Sequence, residues 1–355
     1  MRLEGLDSLR GFAAVAVVIC HTYFITDLPM PNGFRTTAGN LGLAVEMFFM
    51  LSAFSMCVGY FGRVADWQGL ANYARRRLLR IVPLFYFFIV VWSIYRAVHG
   101  VAIPLDAVAA TATFTFAFVP RLHASYVAVG WSIGVEMIFY VLFPLLLLVV
   151  RDLRSSLFVF ATSMLVAAVG HYAIVSIGLS DFVRTNTLVQ LPMFAAGIVC
   201  FFIFREVRFT PRFGPIAIVG SLVYWIVLFF VIGSPDGSTH AANSLWWRIA
   251  ICLPFPILLL AFATAHMPVL VNRATIMLGV FSYGVYLWHS LIIVQSAHFR
   301  REWFAPELVG GVWSSFVLSD VMCIALTIVA AACTYYLIEL PFQSFGKPRR
   351  QVPAE

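Results

Sequence analysis

The chain has 355 residues, 62% of them apolar and only 11% charged, with a mean hydropathy of +0.93. A soluble chain carries about a quarter charged residues, so this balance excludes a water-soluble domain and a disordered chain and points to lipid as the main solvent. The formal charge of +7 does not mark a nucleic-acid binder: 22 of the 23 basic residues are Arg and only Lys347 is Lys, and they are distributed among the loops.

A helix needs about 20 residues to cross a hydrocarbon core about 30 Å thick. Ten apolar runs approach or meet that length, near 9–26, 41–61, 80–98, 129–150, 156–177, 187–204, 214–232, 247–266, 276–296 and 312–338. They predict an all-α, polytopic membrane helix bundle of about ten transmembrane helices. The first run carries no small-residue cleavage site and similar runs follow it, so it reads as a retained span rather than a signal peptide. An eleventh run, 105–119, is shorter and carries Asp106, Thr111, Thr113 and Thr115.

Basic residues stay on the cytoplasmic side of short loops. With both termini cytoplasmic and 105–119 not crossing, 16 of the 23 basic residues face inward; if 105–119 crosses, the number falls to 12. The ten-span arrangement is therefore preferred, as one integral-membrane domain over 1–345 with a short basic cytoplasmic tail over 346–355. The cysteines at 20, 57, 200, 252, 323 and 333 lie in apolar runs with no Cys-x-x-Cys pair. They read as small buried hydrophobes, and neither a disulfide framework nor a metal site is expected.

Ionisable groups at membrane depth are costly, so each is a functional hypothesis until a structural role explains it. Arg10 and His21 are eleven residues apart, about three helical turns, and share one face about 16 Å apart along the axis. A buried, hydrogen-bonded histidine is the competing reading. Glu46 opens the second span at a depth near His21, and a carboxylate beside an imidazole makes a general base; a purely structural hydrogen bond competes with that. Arg75, Arg76, Arg77 and Arg80 precede the third span, either as a topology signal or as a phosphate clamp in which Arg77 and Arg80 share a helical face.

Further on, Ser132 and Glu136 lie four apart on one face, either holding the bundle or contacting a polar substrate. Ser282, Tyr286 and His289 form a polar stripe on an otherwise apolar helix, a pattern that also serves as interhelical glue. Four ionisable groups, His21, Glu46, Glu136 and His289, are thus expected at one depth in the outer half. Glu339 closes the last span near the cytoplasmic surface, where pairing with the basic loop gives it a structural role.

Six segments in order, LDSLRGFAAVAVVICH, EMFFMLSAF, RRRLLRIVPLF, WSIGVEMIFY, FSYGVYLWH and YLIELPF, spread over 6–342, resemble the acyltransferase-3 family of multi-pass membrane O-acyltransferases that modify bacterial saccharides. The resemblance implies transfer of an acyl group, usually acetyl from cytoplasmic acetyl-CoA, to a hydroxyl of an extracytoplasmic or lipid-linked saccharide, in the bacterial cytoplasmic membrane. It makes Arg10 and His21 the essential pair and Arg77 and Arg80 the acyl-CoA-binding arginines; beside these, Glu46 is kept from the residue reading as the orienting carboxylate and Arg76 as a further cation of the clamp. Glu136, Ser132, Tyr286 and His289 are left as acceptor contacts. Ala53 departs from the family's glycine after the serine, where a methyl group would narrow helix packing or an acyl channel. The fused esterase-like domain of some relatives is not found, which implies transfer by this chain alone or with a separate partner. The pantetheine arm of a CoA held at the inner face, about 15–20 Å long, is comparable to the three helical turns to His21. A transporter or flippase is the alternative class, and would show paired broken helices or an internal repeat.

Overall fold

The computed structural model describes residues 3–25, 30–31, 34–64, 66–232 and 244–346. Arg2 and most of the expected basic tail, with Lys347, Arg349 and Arg350, lie outside the described residues. Among the described residues the fold is helical, with no strand. In chain order the helices are α1 (Glu4–Ile25), α2 (Arg35–Asn40), α3 (Ala44–Tyr60), α4 (Trp67–Val98), α5 (Leu105–Ala112), α6 (Trp131–Val149), α7 (Leu153–Ser176), α8 (Ser180–Val183) and α9 (Thr187–Glu206). They continue with α10 (Phe213–Ile226), α11 (Leu245–Cys252), α12 (Phe255–Thr264), α13 (Arg273–Val280), α14 (Ser282–Gln295), α15 (Ala297–Trp303), α16 (Pro306–Val309), α17 (Val312–Thr334) and α18 (Leu340–Phe345).

Each of the ten apolar runs falls on helix, but the count of full spans is lower than ten. Among the described residues eight helical stretches are long and apolar enough to cross a membrane, and nine if the pair α13 and α14, bent by 70°, is one span. The run near 214–232 begins with a shorter apolar helix, Phe213–Phe229. The segment 105–119 holds a helix of only eight residues, stopped where Phe114 takes a left-handed φ of 60°, far too short to cross.

The helix starts carry legible caps. Asp66 accepts from the Gly69 N–H at the head of α4, Asp152 and Ser155 form a capping box at α7, and Asn272 and Thr275 form one at α13. Packing inside the bundle uses small residues where backbones approach. A Cβ on Gly279 would overlap the Asp7 carbonyl, which binds α13 closely to α1, and one on Gly197 would overlap the Met50 carbonyl between α9 and α3. Ala53 lies in this second seam and is fully buried there, its methyl 3.0 Å from the place a Gly197 Cβ would take. It tightens the contact between α3 and α9 and does not line the cavity described below.

The α3 and α9 spans are mostly buried in protein, whereas α7 turns most of its side chains outward. Outward-facing residues such as Phe158, Leu165 and Val169 are exposed and apolar, as a lipid-facing helix requires. Five cysteines are buried, while Cys333 is exposed on α17, and all six are free.

Candidate active site

One face of α3 defines the site. Val45, Phe48, Phe49, Ser52, Ser55, Val58 and Gly59 recur at helical spacing and line a cavity of about 460 Å³. From Gly59 to Val45 the lining climbs about 21 Å at 1.5 Å per residue. The opposite walls come from Asp7 and Arg10 on α1, Arg77 and Arg80 on α4, Ser132, Glu136 and Tyr140 on α6, and Ser282, Tyr283 and Tyr286 on α14.

The basic run before the third span divides by helical face. Arg75 donates to the Phe345 carbonyl (2.7 Å) and Arg76 is exposed. Arg77 and Arg80 turn into the cavity with Arg63. The expected place of Arg76 in the clamp is therefore corrected: one residue is 100° of helix, enough to point it away. The Arg77 guanidinium lies over the Tyr60 and Tyr140 rings, 5.3 and 5.6 Å from their centroids, and donates to the Tyr60 hydroxyl at 3.3 Å. Its buried Nε has no hydrogen-bond partner.

Arg10 donates to Asp7 at 2.9 Å and to the Ser55 hydroxyl. Ser52 donates to Glu136 at 2.7 Å, and the Tyr140 hydroxyl donates to the same carboxylate oxygen. Glu339 sits in a π-type turn at the end of the last span, buried and lining the cavity with Arg80, and its Oε1 accepts no hydrogen bond. It faces the arginine end of the void beside Arg80, so the expected neighbour in the basic run is met, but from a buried position and not at the surface.

The four ionisable groups expected at one depth separate into three environments. Glu136 is a cavity residue. His21 and His289 face each other with ring centroids 4.9 Å apart, and Tyr286 is 5.6 Å from His289. Glu46 does not orient His21. It is fully buried and pairs with Arg248 at 3.4 Å and Arg184 at 3.9 Å, and Arg248 also donates to Gln190 at 2.8 Å. A carboxylate in an apolar bundle takes the strongest available cation, and two guanidinium groups outcompete a neutral imidazole. What orients His21 is its own helix: Nδ1 lies 2.9 Å from the Val17 carbonyl. A carbonyl can only accept, so Nδ1 carries the hydrogen and Nε2 is the basic nitrogen.

Residues not singled out from sequence complete the site. Tyr140 continues the stripe of Ser132 and Glu136 by one more turn and was legible in principle, as were Ser52 and Ser55 on the stripe of α3. Arg184, Gln190 and Arg248 carry no local pattern that points at Glu46. Ser132 and Tyr286 do meet, with Ser132 donating to the Tyr286 hydroxyl at 2.7 Å.

A bundle with a polar, arginine-lined cavity, one wall of which is Tyr286 beside His289, offers a membrane-embedded site suited to a polar or charged ligand. The family model described as "Acyltransferase domain" matches residues 3–336, and the chain belongs to that acyltransferase-3 family. Among curated proteins it is similar to the O-acetyltransferase OatA of Staphylococcus aureus (strain NCTC 8325 / PS 47), 24% identical over 379 residues covering 97% of this chain and 58% of that protein. A putative O-acetyltransferase of S. aureus (strain COL) is 24% identical over 391 residues with the same coverage. The chain thus spans less than two thirds of the length of these relatives. No solved structure matches.

Proposed function

We propose that this protein is a membrane-bound O-acetyltransferase that moves an acetyl group from acetyl-CoA to a hydroxyl of an extracytoplasmic or lipid-linked saccharide. The names of the relatives support acetyl as the group and oxygen as the acceptor. The observation that carries the reading is the shaft itself, with Arg10, Arg63, Arg77 and Arg80 lining it and its far wall reaching Val45, near the level of His21.

Guanidinium forks suit the phosphates of a nucleotide-linked donor, and a shaft about 21 Å long suits its extended arm. His21 Nε2 takes the proton of the acceptor hydroxyl as its oxygen bonds to the thioester carbonyl carbon. The C–S bond then breaks, and the proton held by His21 is returned to the departing thiolate. Ser132 and Tyr286 line the approach of the acyl group and the acceptor, His289 lies behind them against Tyr286 and His21, and Glu136 holds Ser52 and Tyr140 in the wall. The charge count supports both termini on the cytoplasmic face, with the arginines open to cytoplasmic donor and one membrane domain over 1–345.

The test supplies acetyl-labelled acetyl-CoA to membranes with and without the protein and follows label into saccharide by mass spectrometry. Label in saccharide only when the protein is present supports the reading. Saccharide movement across the membrane without CoA consumption would mark a transporter instead.

A further inference from the structure

One polar stripe of the cavity has no part in the transfer step. Tyr335, Glu339 and Gln343 recur every four residues along the end of the last span and line the void at its arginine end. Glu339 is carried there by the π-type turn Tyr335–Glu339, which joins α17 to α18. Such turns are rare and occur mostly at functional sites.

Three carboxylates line the cavity, and two of them already have donors. Asp7 accepts from Arg10 at 2.9 Å, while Glu136 accepts from Ser52 at 2.7 Å and from Tyr140. Glu339 differs from both: it is 3% exposed, it stands beside Arg80, and its buried Oε1 accepts no hydrogen bond. A buried carboxylate oxygen without a donor is costly. A phosphate does not relieve that cost, because at neutral pH its oxygens accept as the carboxylate's do and the two repel. The lining therefore calls for a ligand of two chemistries, anionic oxygens for Arg63, Arg77 and Arg80 and an N–H for Glu339. A nucleotide-linked thioester carries them in that order: its phosphates are followed by an arm with secondary amides. The burial of Glu339 places it against the arm within the shaft and not at the mouth, where the base would lie.

We propose that Glu339 accepts an amide N–H of the donor's pantetheine arm as the arm leaves the arginines, and so makes the site selective for an acyl-CoA over other adenosine phosphates. The proposal rests on the reading of the cavity as the acyl-CoA site. Because the carboxylate gains this donor from the ligand and not from the protein, Glu339 serves binding at the expense of stability.

The experiment is equilibrium binding to the purified full chain in detergent, for the wild type, Glu339→Gln and Glu339→Ala, with the unfolding midpoint of each measured without ligand. The probes are acetyl-CoA and adenosine bisphosphate, which has phosphates and base but no arm. Exchanging a charge-assisted hydrogen bond for a neutral one should lower acetyl-CoA affinity about tenfold in Glu339→Gln, and more in Glu339→Ala. Bisphosphate affinity should hold or rise, since a negative charge has left the neighbourhood of Arg80, and the midpoint of Glu339→Gln should not fall. Acetyl-CoA bound as tightly or more tightly by both variants reduces Glu339 to a counter-charge of Arg80 and overturns the proposal. So does an equal loss for both probes, which places the contact on phosphate or base, or a loss accompanied by a lower midpoint, which marks a structural role. The sign of the acetyl-CoA change and the midpoint decide the matter even where the bisphosphate binds too weakly to measure. No binding of acetyl-CoA by the wild type overturns the donor reading, and the role of Glu339 with it.

Discussion

Two arginine–carboxylate clusters sit in the same apolar bundle and differ in what their charges face. Around Glu46, Arg184 and Arg248 converge on one buried carboxylate, Gln190 links the two arginines, and the Gly42 carbonyl accepts from Arg184 at 2.7 Å. Around Glu136, the arginines Arg10, Arg77 and Arg80 line a void, and the carboxylate binds hydroxyls of Ser52 and Tyr140 rather than a guanidinium. Buried charge that closes on itself ties helices together, whereas buried charge left facing a cavity is available to a ligand. Burial alone does not distinguish the two.

Substitutions that hit rate, stability and affinity separately test that division. The largest effect is expected at His21, where alanine should lower the acetyl-transfer rate by about 10²- to 10⁴-fold while acetyl-CoA affinity and thermal unfolding stay near wild type. Full activity at normal protein levels would remove His21 from the chemistry. Glu46→Gln should act on stability, because it leaves Arg248 and Arg184 without their counter-charge, a loss of about 3–5 kcal/mol seen as a lower unfolding midpoint in detergent. An unchanged midpoint would mean that the cluster does not hold the bundle.

The paired change Arg77→Ala and Arg80→Ala should weaken acetyl-CoA binding by at least about 100-fold by calorimetry, since each charge-assisted contact is worth about 1.5–3 kcal/mol. Arg76→Ala, one residue away on an exposed face, should leave that affinity unchanged, and an equal loss there would reduce the clamp to general positive charge. The smallest effect belongs to Asp106, which pairs with Arg121 at 2.7 Å on the surface, and that bond holds its carboxyl below the usual 3.8. A lowered folded-state pKa stabilises above the unfolded value and the gain is lost as pH falls through the folded one. Asp106→Asn should therefore flatten the acid limb of the stability profile slightly and leave transfer at neutral pH unaltered.

How much of this was legible varies with the range of the interaction. Arg77 and Arg80 were separable as a facing pair because three residues on a helix share a face, while Arg76 could be placed off it only once the cavity's side of α4 was known. Ser132 and Tyr286, each placed on a polar stripe, are in contact. Glu46 carries no local signal for its partners, because Arg184 and Arg248 lie 138 and 202 positions further along the chain. Glu339 is buried at the end of a π-type turn that no local sequence pattern announces.

The amino-acid sequence by itself determined the solvent, the helical class and the faces of individual helices, because apolar content and a period of 3.6 are properties of the chain read locally. Only the tertiary structure decided which charges pair with each other and which face a void, and that Ser132 and the Val129 carbonyl hold Tyr286 in the cavity wall. Those outcomes depend on which helices become neighbours, and in a low-dielectric interior a charge is governed by the partners it actually meets rather than by its position along the chain.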